Sequence, residues 1–324
     1  MTLPEPASSE RIPSELTSPE RAAPDPASSG SANPWLERRV LAYGHQGGAR
    51  EAPSSTLYAF RHATERGVDA LEMDVHATAD GVLVVCHDAT VDRTCNAGGS
   101  IAAMTLAEVR ELDNAYWWIP DEVVDHDPAR QESDYPLRGQ APTRADLRIA
   151  TLDEVLAAFP STFLNLDIKQ TAPAVDSYER HLAAILREHG RVDDVIVASF
   201  NDLATERFHV ESPEVHTSAG TLATAEFIRA VQSGEALPAW TCDGPGGGPR
   251  HVALQVPPAY GEVTIVSAGF VEAAHGCGIA VHVWTIDDGA EVERLVGLGV
   301  DGVMSDRPTM VVDVLTRIGA PRCT

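Results

Sequence analysis

Short β-branched runs alternate along this chain with longer stretches whose apolar residues recur at helical spacing. The runs at 39–45, 69–75, 82–87, 162–168, 194–200, 214–219, 251–256, 279–285 and 302–305 read as strands. Amphipathic segments at 55–66, 152–159, 175–188, 202–210, 223–233, 267–275, 288–298 and 308–318 read as helices between them. Such alternation is the pattern of a mostly parallel sheet with crossover helices, and about eight strand and helix pairs over roughly 280 residues fit an α/β chain folded as a TIM (β/α)8 barrel. An open doubly wound sheet is the alternative.

Two stretches break the rhythm. Segment 113–148 carries Trp117, Trp118, four prolines and many acids, and is expected to be an insertion lying over one face. It either caps the mouth of the barrel or meets another copy. Segment 240–250 holds Gly244, Pro245, Gly246, Gly247, Gly248 and Pro249. It follows a helix and precedes a strand, the reverse of a phosphate-cradling loop, so a flexible loop is expected there. Residues 1–33 are rich in Pro, Ser, Glu and Ala with few large apolar side chains, which predicts a disordered tail ahead of one barrel domain at 34–324.

Charge narrows the partners. With 24 Lys+Arg against 48 Asp+Glu, the formal charge is −24, which disfavours nucleic acid and anionic lipid surfaces. An anionic substrate must then be met by a local cation. Among the basic residues only Lys169 is a lysine, every other one being arginine. No run of about 18 apolar residues is present to span a membrane. The N-terminus lacks the basic start and apolar core of a signal peptide, so a cytoplasmic protein is expected. The five cysteines, Cys86, Cys95, Cys242, Cys277 and Cys323, show no metal-ligand spacing and are expected to be reduced.

In a parallel barrel the chemistry gathers where strands end at their C-terminal side. Glu72 and Asp74, two apart on one strand, share a face, and two carboxylates there are costly to bury without a cation between them. Asp167 on another strand can complete an all-oxygen site of the kind Mg²⁺ or Ca²⁺ prefers. The alternative is that these acids face solvent. His45 and His87 each end a strand, and neutral imidazole suits proton transfer in either direction near pH 7. A structural or surface histidine is the plainer reading of either one alone. Lys169 shares the face of Asp167 and either holds a phosphate oxygen or pairs with that acid. Trp284 either lines the mouth or is core, and Cys86 alternates away from His87 into the core.

Taken in order, these residues resemble a known family. His45-Gln46-Gly47, Pro53-Ser54-Ser55-Thr56-Leu57, Glu72-Met73-Asp74-Val75, His87-Asp88, Asn165-Leu166-Asp167-Ile168-Lys169, Val283-Trp284-Thr285-Ile286 and Ser305-Asp306-Arg307-Pro308 look like a glycerophosphodiester phosphodiesterase. The resemblance runs from about residue 39 to 315. It implies a TIM barrel, one divalent cation, Mg²⁺ or Ca²⁺, on Glu72, Asp74 and Asp167, and His45 with His87 as an acid/base pair. It also implies a small glycerophosphodiester as substrate, with Gln46, Lys169 and Trp284 binding it. The implied route is attack of the glycerol 2-hydroxyl on phosphorus, departure of the alcohol, and opening of the cyclic phosphate by water. Three departures stand out. Gln46 replaces the family's Arg, Ser54-Ser55 its Glu-Asn, and Asp167 its more frequent Glu. Arg50 or Arg93 is the candidate to restore the missing charge. Two rival functions follow: a lysophospholipase D-type activity, for which Tyr116, Trp117, Trp118 and Ile119 would supply an apolar rim, and a non-catalytic phosphodiester-binding protein.

Overall fold

A computed structural model describes residues 33–36, 39–122, 129–171, 173, 175 and 177–321. Residues 1–32 of the expected tail lie outside the described residues, as do Pro128, Asp176 and Cys323.

The strands are β1 (Leu41–Gly44), β2 (Ala70–Ala77), β3 (Leu83–Val85), β4 (Phe163–Ile168), β5 (Val195–Ala198), β6 (His216–Thr217), β7 (Ala253–Val256), β8 (Ala259–Tyr260), β9 (Val263–Thr264), β10 (Ala280–Val283) and β11 (Gly302–Ser305). The helices are α1 (Leu57–Glu65), α2 (Leu106–Val109), α3 (Leu152–Ala158), α4 (Tyr178–Glu188), α5 (Asp202–Glu211), α6 (Thr221–Ser233), α7 (Ala268–Gly276), α8 (Gly289–Leu298) and α9 (Pro308–Arg317). Their ends carry local signals. Thr151 and Glu154 form a reciprocal capping box on α3, Asp288 caps α8, and Gly299 ends α8 at φ 93°, a conformation glycine adopts freely.

Eight strands pair in parallel in the order β1, β2, β4, β5, β6, β7, β10, β11, and β11 returns to β1. The β6/β7 junction is a single bridge, Ser218 to Ala253, flanked by Val252 N–H to Thr217 O (2.9 Å) and Ala219 N–H to Ala253 O (3.0 Å). The result is a nearly closed TIM barrel, and the open-sheet alternative falls. Alternation along each strand divides the side chains. Leu71, Met73 and Val75 of β2 pack outward with Leu164, Leu166 and helix side chains, while Leu41, Tyr43, Ala70, Ile196 and Met304 pack about the axis. Glu72 and Asp74 therefore point inward.

The floor of the barrel is sealed by Trp35, 2% exposed, whose Nε1–H donates to His216 Nδ1 at 3.0 Å. Asn33 Nδ2 donates to the carbonyls of Val252 and Gly278 at the same end. On the other end β3 folds back antiparallel on β2 and starts a long excursion before α3. That excursion is wider than the 113–148 the sequence suggests. It includes α2 and two small apolar clusters, one around Val91, Cys95, Ile101 and Ile149, the other around Ala115, Ala141 and Leu147.

Candidate active site

The C-terminal mouth collects His45 after β1, Glu72 and Asp74 on β2, His87 after β3, Asp167 and Lys169 on and just past β4, Trp284 after β10 and Asp306 after β11. A sharp turn presents His45. Gln46 sits at φ 52° and Gly47 at φ 82°, where a Cβ on Gly47 would come within 2.7 Å of Ala59, so the turn presses directly onto α1. The Gln46 backbone N–H donates to Glu72 Oε2 at 3.0 Å, and Gln46 Nε2 lies 3.4 Å from His45 Nε2. Ser55, at φ 58° with its N–H on the Gln46 carbonyl, completes the loop.

Each histidine is held by a carboxylate at Nδ1. His45 Nδ1 is 2.7 Å from Asp306 Oδ1, and His87 Nδ1 is 2.6 Å from Asp88 Oδ1. With Nδ1 engaged, Nε2 is left for exchange on both rings, and His45 Nε2 stands 3.8 Å from Glu72 Oε2. Arg93 Nε donates to Asp88 Oδ2 at 2.6 Å. Burial works against ionised Asp88, but His87 and Arg93 outweigh it and hold that carboxyl well below the usual range. Burial would lower His45, yet Glu72 and then Asp306 overcome it and lift its pKa to about 9. His87 is also raised, first by its bond to Asp88. Asp88 and Asp306 orient the two rings, and although both lie within motifs of the resemblance, His87-Asp88 and Ser305-Asp306-Arg307-Pro308, the sequence alone assigns neither a role.

Lys169 Nζ bridges the acids, 3.1 Å from Asp74 Oδ1 and 2.9 Å from Asp167 Oδ2. Burial lifts Glu72 to about 7, with Asp74 adding to it, and lifts Asp167 to about 6 despite Lys169. Asp74 Oδ2 and Asp167 Oδ1 are buried with no hydrogen-bond partner. Orphaned carboxylate oxygens beside a third buried acid form a hard oxygen donor set, so the residues fit a divalent cation. Among the described residues no three ligating side chains already form a cage, and the ammonium of Lys169 lies between Asp74 and Asp167.

The charge lost at Gln46 is not returned by a nearby arginine. Arg50 Nε donates to Asp287 Oδ2 (2.9 Å) and its Nη1 to the Asp121 carbonyl, while Arg93 is spent on Asp88. The 116–119 rim is likewise occupied. Trp118 is buried with Nε1–H on the Ala49 carbonyl (3.0 Å), and Tyr116, Trp117 and Tyr135 surround the Arg138 guanidinium. The excursion thus fastens onto the β1–α1 loop instead of presenting free aromatic rings. Cys86 is buried, as its alternation with His87 predicts. Trp284 is half-buried, with its ring 5.7 Å from Phe200, which is 58% exposed and 5.0 Å from Lys169 Nζ. Phe200 went unnoticed in the sequence because it closes an ordinary apolar strand.

Residues 45–310 match the glycerophosphoryl diester phosphodiesterase family. The chain belongs to that family. Membership places it among the phosphoric diester hydrolases, as the ordered motifs suggested. A glycerophosphodiester phosphodiesterase of Caldanaerobacter subterraneus subsp. tengcongensis is 28% identical over 87% of this chain and all of its own length. One from Bacillus subtilis is 26% identical over 84% of this chain and 85% of its own. Among solved structures, a glycerophosphoryl diester phosphodiesterase domain from Mycobacterium tuberculosis superposes with a TM-score of 0.68 at 17% identity, covering 86% of this chain and 99% of its own. An Oleispira antarctica phosphodiesterase in complex with its product sn-glycerol-3-phosphate gives 0.61 at 20% identity, over 86% and 97%. Both likenesses bear on the fold. Among the described residues of this family member no helix is long and apolar enough to cross a membrane.

Proposed function

We propose that the chain hydrolyses glycerophosphodiesters to glycerol 3-phosphate and an alcohol, with His45 and His87 exchanging the protons and a divalent cation held by Glu72, Asp74 and Asp167. The observation that carries this reading is the pairing of two carboxylate-oriented imidazoles with buried acids whose outer oxygens lack partners.

One imidazole takes the proton of the glycerol 2-hydroxyl as that oxygen attacks phosphorus, and the other protonates the departing alcohol oxygen. The two then exchange roles as water opens the cyclic phosphate. Asp306 and Asp88 hold the rings in the tautomer that leaves Nε2 facing the reaction. Lys169 donates to a phosphoryl oxygen while keeping its acids in place, and Gln46 can add a neutral hydrogen bond. Trp284 packs against the glycerol carbons. The cation, when bound, supplies Lewis-acid stabilisation of charge on the phosphoryl group.

The test is release of glycerol 3-phosphate from glycerophosphocholine and glycerophosphoethanolamine with Mg²⁺, with Ca²⁺ and after EDTA. Metal-dependent release that falls about 100-fold or more in His45→Ala and in His87→Ala supports the reading. Binding without turnover by the folded, metal-loaded protein would instead establish the non-catalytic alternative.

A further inference from the structure

Amide side chains inside a barrel are costly unless each of their polar atoms is satisfied. Two such side chains lie below the acids of the mouth. Gln255 of β7 is on the inner face, because Ala253 packs about the axis and residues two apart on a strand share a face. Asn165 of β4 also points inward, since Leu164 and Leu166 beside it pack outward. Gln255 Nε2 donates to Asn165 Oδ1 at 2.6 Å. With β5 and β6 between the two strands in the sheet order, that bond crosses the interior of the barrel. Asn165 is the register partner of Glu72, so the brace lies against the deepest acid of the site.

The brace is open from above. Gln255 is half-buried, whereas Leu254, Val256 and its register partner His282 are buried. Trp35 seals the floor, so Gln255 meets solvent through the mouth. The cross-barrel bond uses one amide atom of each residue. The other two, Gln255 Oε1 and Asn165 Nδ2, have no partner among the described residues, and neither is enclosed as Asp74 Oδ2 and His282 Nε2 are. An acceptor and a donor thus stand side by side at the bottom of the pocket. A hydroxyl matches them, because it can donate to the one and accept from the other.

We propose that Gln255 and Asn165 bind the terminal hydroxyl of the substrate's glycerol and thereby select diesters that carry a free vicinal diol. The inference rests on the hydrolytic reading, in which the glycerol 2-hydroxyl attacks phosphorus. Trp284, which that reading sets against the glycerol carbons, lies two residues above His282, the register partner of Gln255. The terminal hydroxyl is on the carbon next to the attacking one. Holding it fixes rotation about the bond that aims the 2-oxygen. A site built around a hydroxyl rejects an analogue lacking it, because the site's own polar atoms are then left unpaired. An acylated terminal oxygen likewise has no proton to give to Gln255 Oε1.

The experiment compares kcat/KM for glycerophosphocholine and for 2-hydroxypropyl phosphocholine, which keeps the 2-hydroxyl and lacks the terminal one. Both are assayed with the metal-loaded wild type and with Gln255→Met. Gln255→Asn, which keeps an amide but shortens its reach, is the milder variant. The wild type should favour glycerophosphocholine about tenfold or more, and the ratio should fall to about threefold or less in Gln255→Met and lie between in Gln255→Asn. A packing role alone would lower both substrates together and leave the ratio where it was. A wild-type ratio near one, or a ratio unchanged in the folded variants, overturns the subsite and leaves the hydrolytic reading standing. If neither substrate is cleaved, that reading fails, and calorimetric titration with glycerol 3-phosphate and with propane-1,2-diol 1-phosphate decides the subsite. A preference for glycerol 3-phosphate that Gln255→Met removes upholds it. Equal binding, no binding, or a preference that the variant keeps overturns it.

Discussion

Replacing Glu72 by Gln should make the metal-free protein more stable at alkaline pH while destroying its use of metal. Glu72 is buried and lies beside Asp74, and its pKa rises from 4.5 to about 7. The folded chain thus binds this proton more tightly than the unfolded chain does. The associated stability is complete below pH 4.5 and is lost as pH climbs through 7. Such a rise is worth about 2–3 kcal/mol as an order of magnitude. Gln keeps the shape and an acceptor for the Gln46 N–H, yet carries no titration. Measured in EDTA by thermal or urea unfolding, the stability of Glu72→Gln relative to wild type should improve by about 2 kcal/mol between pH 4.5 and pH 8, roughly 4 °C in Tm. Saturating Mg²⁺ should stabilise the wild type, by about 2.7 kcal/mol at 100 times its Kd, and the variant much less. A relative stability that stays flat or worsens as pH rises would refute the picture of an acid whose ionisation is opposed by burial more strongly than His45 favours it.

Other consequences are open to the same tools. Asp306→Asn trades a charge-assisted bond to His45 for a neutral one, so kcat should fall about 10- to 100-fold, and the His45 limb of the pH–rate profile should move to lower pH. An unchanged profile would remove Asp306 from the mechanism. Lys169→Met leaves Asp74 and Asp167 facing each other without a counter-ion, and should cost about 3 kcal/mol at pH 8 in EDTA by urea unfolding, partly recovered with Mg²⁺. Gly302→Ala places a Cβ 2.8 Å from His282 Cδ2 and 2.9 Å from Tyr43 Cε2. Both rings are enclosed in the barrel, so the melt should show a loss of about 1–3 kcal/mol.

The barrel is legible in the sequence because its strands are buried on both faces and read as continuous β-branched runs. The run at 302–305 coincides with β11, and 162–168 with β4 to within one residue. The short elements are not legible in this way. The β8–β9 hairpin exposes both of its strands, and α2 is a single turn defined by the Thr105–Glu108 capping box, so neither carries a periodic apolar stripe. The acids and histidines of the site show because strand ends place them. Their long-range partners do not. His45 finds Asp306 261 residues away, and Phe200 meets Trp284 across the mouth. The sequence offers Arg50 and Arg93 as replacements for the missing charge but places neither side chain, and each guanidinium is paired with a carboxylate, Asp287 and Asp88.

The pairing of β1 with β11 also has a bearing on how the chain is made. Leu41 faces Gly302, and Val40 N–H donates to the Pro321 carbonyl. As the chain leaves the ribosome, β1 has β2 as a neighbour early, but its other edge stays unsatisfied until about 260 further residues have been synthesised. A contact of such sequence separation forms slowly. During that wait the inward edge of β1, with Tyr43 and the loop that aims His45, is open to pairing with a second nascent chain. Overexpression should therefore favour aggregates joined through this seam, and slower translation or a lower growth temperature should relieve them.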